Sequence, residues 1–153
     1  MIDIVLASGL DAPKGLSLID GNKERRLKTS SPASVKADAR MRGVLLYSPP
    51  YEIEEGACVE LARNGGALVF SLSDVLREGG FRRSIIISKM RLALAACRRA
   101  GCSSVAFTLA KRQEEVRTGR ELAAFMAVLG MTDAERKHAK EIAETLAKKE
   151  GAG

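Results

Sequence analysis

Apolar and β-branched residues dominate Ile2-Asp3-Ile4-Val5-Leu6-Ala7 and stop at Ser8-Gly9, which predicts a strand followed by a turn. A second apolar piece, Gly15 to Ile19, leads into the turn residues Asp20-Gly21-Asn22. Gly43 to Tyr47, Ala67 to Phe70 and Ser104 to Leu109 predict three more strands; Pro49-Pro50 ends the first of these, and the wholly apolar 67–70 run fits a parallel strand covered on both faces. The intervening segments carry helical spacing. Glu54–Arg63 places Ala57, Cys58, Leu61 and Ala62 on one side, and Ser84–Ala100 aligns Ile86, Met90, Ala93, Leu94 and Cys97 before Gly101 closes the turn. Ser71 with Asp74, Thr118 with Glu121 and Thr132 with Glu135 mark three helix starts, and Gly130 ends the second helix. The terminal Gly151-Ala152-Gly153 is expected to fray. About five strands alternating with helices predict an α/β fold of (β/α) units on a mostly parallel sheet, not a helical bundle.

Between Lys23 and Arg42 the rhythm fails: seven Lys and Arg stand against two acidic residues, and Pro32 and several Ser interrupt any period. A flexible basic loop over 22–42 is expected, holding one short helix near Ala37 to Met41. The 153 residues make a single domain, 1–153, and a hydrophobic share of 46% with 29% charged residues excludes global disorder. The net charge of +6 permits nucleic-acid contact, while an aromatic content of 4% without Trp argues against a surface that stacks many bases. Cys58, Cys97 and Cys102, without a CxxC pair, are read as small buried hydrophobes in a reducing, cytoplasmic setting. His138 is the sole His and is read as a helix-surface or half-buried residue. No apolar run reaches the length of a membrane span, so no membrane partner is expected. Gly9 and Gly15 complete no phosphate-cradling motif, and the spacing of Asp3, Asp11, Asp20 and Asp74 specifies no metal cluster. No catalytic, cofactor-binding or metal-binding residue is assigned to this chain.

Parallel α/β folds gather function in the loops that follow the strands, which nominates Ser8 to Lys14, Ser48 to Tyr51, Ser71 to Asp74 and Ala110 to Arg117. Charge sharpens the choice. Arg77 through Arg99 holds seven Lys and Arg opposed only by Glu78, next to an acidic stretch from Glu52 to Asp74. Arg82 and Arg83, at a helix approach, suit guanidinium contacts to RNA phosphates or to an acidic protein, and Lys89 and Arg91 extend the field. Lys111, Arg112, Arg117 and Arg120 form a second candidate mouth.

Three segments carry a further likeness: ACVELARNGGALVFSLSDVL at 57–76, FRRSIIISKMRLALAACRRAGCSSVAFTLAKR at 81–112 and VRTGRELAAFMAVLGM at 116–131. In this order of helix, short strand, paired-Arg helix entrance, strand and Arg-bearing loop, the chain resembles the archaeal ribonuclease P protein component 3 family. Thr118-Gly119 stands where the family has Ser-Pro, and Thr108-Leu109-Ala110 where it has Ser-Gly-Ala. The resemblance implies a barrel related to PHP-type phosphoesterases. It also implies a non-catalytic, RNA-binding subunit of the ribonuclease P endoribonuclease, the ribonucleoprotein that removes the 5′ leader from precursor tRNA. The implied partners are the ribonuclease P RNA, which would hold the Mg ions, other ribonuclease P protein subunits, and precursor tRNA as the substrate. A full eight-unit barrel takes at least about 200 residues, so a reduced or partly open (β/α) TIM-like barrel is expected. The alternatives are a small metal-dependent phosphoesterase and a basic protein-binding scaffold.

Overall fold

The structure, a computed structural model, describes residues 1–152. Six strands occur, all in parallel pairings: β1 (Ile2–Val5), β2 (Ser17–Asp20), β3 (Leu27–Thr29), β4 (Leu45–Tyr47), β5 (Ala67–Ser71) and β6 (Ser103–Phe107). The helices are α1 (Val35–Asp38), α2 (Glu55–Arg63), α3 (Leu72–Leu76), α4 (Gly80–Ala100), α5 (Gly119–Leu129) and α6 (Asp133–Ala152). The main sheet has the order β3-β4-β5-β6, and β1 and β2 pair separately. Just beyond β6, Leu109 N–H donates to the Ile4 carbonyl at 2.9 Å and Leu6 N–H donates to the Ala110 carbonyl at 2.7 Å, which sets the β1–β2 pair beside β6.

Every residue of β4 and β5 is buried, as a parallel strand covered on both faces requires. Helices supply the cover, α2 and α4 through the expected stripes of Ala57, Cys58 and Leu61 and of Met90, Ala93, Leu94 and Cys97, and α5 through Leu122, Phe125, Met126 and Leu129. Phe70, Phe107, Leu45, Leu46, Leu68 and Ile4 are almost wholly removed from water, each worth roughly 1.5–3 kcal/mol of transfer free energy. Gly66 is required where β5 begins, because a Cβ there would lie 2.8 Å from the Val44 carbonyl oxygen. No helix among the described residues is long and apolar enough to cross a membrane.

Three expectations change. First, the 22–42 segment contains β3 as well as α1, giving six strands instead of about five. Leu27-Lys28-Thr29 was invisible as a strand because it pairs only with β4 and has one apolar residue to bury; a charged residue on such an edge deters further pairing. Second, Cys97 and Cys102 form a disulfide across a Cα separation of 5.1 Å, leaving only Cys58 as a free buried thiol. The helix ending explains their meeting. Gly101, with φ 77°, turns left-handed, so that Gly101 N–H donates to Arg98 and Cys102 N–H donates to the Cys97 carbonyl. That closure brings together the two positions where an apolar contact ordinarily sits. Third, α4 begins four residues earlier than predicted, and α6 continues to Ala152, past the expected frayed start at Gly151; Gly153 lies outside the described residues.

Candidate functional site at the C-terminal ends of the strands

Buried polar side chains collect at one end of the sheet. Ser30 follows β3, Ser48 follows β4, Ser71 ends β5, Ser73 lies in α3, Thr108 follows β6 and Glu115 lies in the loop before α5, whereas Ser104 alone sits near the other end. Asp3 joins the group from β1: Thr108 N–H donates to its Oδ1 at 2.7 Å and the Thr108 hydroxyl to its Oδ2 at 2.5 Å. Burying polar groups without partners is costly, and apart from the Ser73 hydroxyl, which has none among the described residues, the buried side chains Asp3, Ser71, Thr108 and Glu115 find partners that brace the mouth at this end from within. Among the described residues, the two non-glycine residues in the left-handed region, Tyr51 at φ 70° and Leu109 at φ 49°, lie in these loops. Backbone of that kind costs about 1–3 kcal/mol and persists only where its surroundings enforce it.

The brace is a chain of hydroxyls, carboxylates and one guanidinium. Ser71 caps α3 by accepting from Asp74 N–H, which turns the Asp74 carboxylate back toward β4. There Tyr47 and Tyr51 hydroxyls each donate to Asp74 Oδ2 at 2.7 Å, and Tyr51 Oη accepts Ser71 N–H at 3.0 Å. Burial, reinforced by the Asp74 charge, holds both phenols well above their ordinary pKa, so they act here as donors. Arg77 then bridges two loops. Its guanidinium forks onto Glu115 at 2.6 and 3.0 Å and reaches Asp74 Oδ1 at 3.5 Å, while Lys111 N–H donates to Glu115 at 2.9 Å. Burial alone would raise the Glu115 pKa, but Arg77 and the Lys111 N–H outweigh it and hold the carboxyl below the usual range. A cleft of about 190 Å³ opens between Pro49, Pro50, Tyr51, Asp74, Arg77 and Ile86.

Asp3 makes the mouth sensitive to pH. Burial raises its carboxyl from 3.8 to about 6 against the lowering effect of the Thr108 bonds. The folded protein therefore holds this proton more tightly than the unfolded chain, and the stability it confers is present below about 4 and lost as pH rises through about 6. A displacement of that size corresponds to roughly 3 kcal/mol. Asp3→Asn keeps the shape and cannot ionise. Its unfolding free energy relative to the wild type should rise between pH 4 and 7, measured by urea titration; parallel curves for the two proteins would refute the assignment.

All four nominated loops reach this end. The 8–14 loop is clasped to the 110–117 loop by reciprocal bonds, Asp11 N–H to Gln113 Oε1 at 2.8 Å and Gln113 Nε2 to the Asp11 carbonyl at 3.0 Å. The eight cations read from the sequence divide into two groups. Arg82 in the first turn of α4, Lys111 and Arg112 after β6, and Arg120 in the first turn of α5 are exposed and have no partner among the described residues. The others are engaged. Arg83 donates to the Val75 and Glu78 carbonyls behind α3, Lys89 pairs with Glu52 at 3.0 Å, Arg91 donates to the Val128 carbonyl at the end of α5, and Arg117 pairs with Glu121 at 3.4 Å. Lys89 and Arg91 also lie roughly 14–17 Å along α4 from its start, too far to contact the same small anionic group as the mouth.

Tyr47, Tyr51, Arg77 and Glu115 were not singled out in the sequence. The signal available was their position in or beside the nominated loops; their pairing is between residues up to 38 positions apart. Among the described residues no three His, Cys, Asp or Glu groups gather as a metal site. Burial pushes the Cys58 thiol up to about 11, which leaves it protonated. His138 is exposed in α6, with its Nε2 2.9 Å from Ser103 Oγ. No protein-family model matches the chain, and no curated protein matches it.

Proposed function

We propose that this protein is a non-catalytic, RNA-binding subunit of ribonuclease P that supports Mg-dependent removal of the 5′ leader from precursor tRNA. The observation that carries the reading is the row of cations Arg82, Lys111, Arg112 and Arg120, without a partner among the described residues, around a mouth whose innermost charges, Asp74, Arg77 and Glu115, satisfy one another. Asp74 accepts from two tyrosines and Arg77, and Glu115 is occupied by Arg77 and the Lys111 N–H. The mouth therefore offers phosphate-neutralising groups on a rigid rim. Guanidinium and ammonium groups there would offset repulsion between RNA segments and hold them for a reaction performed elsewhere, with Mg on the RNA. The cyclic succession of parallel strands, β3-β4-β5-β6 with β1 and β2 beyond β6, fits a reduced or partly open TIM-like barrel. The resemblance in 57–131 supports the family reading, with ribonuclease P RNA, the other protein subunits and precursor tRNA as partners in the cytoplasm.

A scaffold for an acidic protein is the second reading, favoured by Phe81 and Leu92 on α4, 80% and 72% exposed. Reconstitution separates the possibilities. Precursor tRNA processing by ribonuclease P RNA and partner subunits should fall when this chain is omitted, more steeply at low salt and low Mg, where neither screens the phosphates. Unchanged assembly and cleavage over both titrations would reject the proposal. Mg-dependent cleavage by the isolated chain would identify a phosphoesterase, and binding to the partner subunits without RNA contact would identify the scaffold.

A further inference from the structure

Arginines also converge at the opposite end of the sheet, where the sequence reading nominated nothing. Leu27, Leu45 and Ala67 stand side by side at the starts of β3, β4 and β5, so the residues leading into those strands become neighbours. Arg26 Nε donates to the Gly43 carbonyl at 2.8 Å, and Gly43 N–H donates to the Asn64 carbonyl at 2.9 Å, tying the three approaches together. Arg42, Arg63, Asn64 and Gly65 line a cleft of about 420 Å³ whose walls include no carboxylate. Nearby, Arg63 and Arg40 share one carboxylate, Glu60, at 3.6 and 3.7 Å, while exposed Arg42 has no partner among the described residues.

A purely local explanation covers part of this. Arg63 ends α2, where a cation complements the helix dipole. The same explanation does not reach Arg40 and Arg42, which arrive from the α1–β4 connection and add charge where Glu60 is already shared. One carboxylate cannot neutralise three arginines, so the cluster keeps a net positive charge that favours an anion. Arg forks grip phosphate oxygens in two-point fashion, and at Gly65 even an added Cβ would meet nothing within 4 Å, leaving the backbone approachable. The scarcity of aromatic residues points to backbone contact with structured RNA in preference to base stacking.

We propose that the cleft of Arg42, Arg63, Asn64 and Gly65 is a second phosphate-contact site for structured RNA, on the far side of the sheet from the mouth. This rests on the RNA-binding reading. β5 alone separates the two ends by about 17 Å, so different phosphates would occupy them. The test is fluorescence anisotropy of the full chain with a labelled RNA hairpin over about 50–200 mM salt. Arg42→Ala with Arg63→Ala should weaken binding about tenfold or more at the low-salt end and make the slope of log K against log salt shallower by about 1–2. Arg42→Glu, which has no internal contact to lose, should act in the same direction with unchanged circular dichroism and urea midpoint. If the wild type binds and both variants coincide with it, while Arg82→Ala with Lys111→Ala and Arg112→Ala binds less, the second site is overturned and the mouth stands. If the wild type shows no salt-dependent binding, the RNA-binding reading itself fails.

Discussion

On the proposed role as an RNA-binding subunit, replacing Arg82, Lys111 and Arg112 together by alanine is expected to weaken binding of ribonuclease P RNA by about a hundredfold near 0.1 M salt. The slope of log K against log salt should become shallower by about 2–3, one increment for each phosphate contact removed. These side chains are exposed and unpartnered among the described residues, so their loss should leave the urea midpoint nearly unchanged. Replacing Lys89 and Arg91 instead removes the same kind of charge from groups already bound to Glu52 and the Val128 carbonyl. That double variant should change RNA affinity far less. Equal losses from the two variants would mean that net charge, and not the mouth, governs binding. An unaltered salt slope in the triple variant would remove the mouth from the RNA contact altogether.

The second large effect concerns stability. Asp74→Ala should cost about 2–4 kcal/mol, because it strips the acceptor from two buried tyrosine hydroxyls and from Arg77. Tyr51→Phe should cost more than Tyr47→Phe. Tyr51 Oη also accepts the buried Ser71 N–H, so removing it orphans a backbone donor, whereas the Tyr47 hydroxyl, donating to Asp74, satisfies no backbone donor among the described residues. Urea unfolding of the three variants gives the ranking directly. A Tyr47→Phe loss equal to that of Asp74→Ala would show that this one hydroxyl, and not the set of donors, accounts for what the Asp74 carboxylate contributes. Asp74→Ala should also weaken RNA binding moderately, since α3 and Arg77 anchor the loop carrying Lys111 and Arg112.

Local features of this fold were readable wherever the physical cause is itself local. Thr118 and Glu121 form the expected capping box, Thr132 and Glu135 exchange the same bonds, and Gly101 and Gly130 end their helices left-handed. Each depends on residues within one turn of one another. β3 escaped because its stability comes from β4, not from its own composition. The disulfide escaped for a related reason: spacing alone does not specify that a left-handed turn will fold Cys102 back over Cys97.

By itself, then, the sequence determined five of the strands and the main helices, the caps at three helix starts, that the sheet would be mostly parallel, and where along the chain positive charge would concentrate. Only the tertiary structure decided which of those charges remain available. Arg82 and Arg83 are adjacent in sequence, yet one is exposed without a partner among the described residues and the other is spent on the carbonyls behind α3. Asp3 meets Thr108 across 105 positions and Arg77 meets Glu115 across 38, because parallel strands deliver their following loops to one end. The arginines leading into β3, β4 and β5 meet at the other end through the register of those strands. Composition and local spacing supply the charges, and strand order and register decide their neighbours.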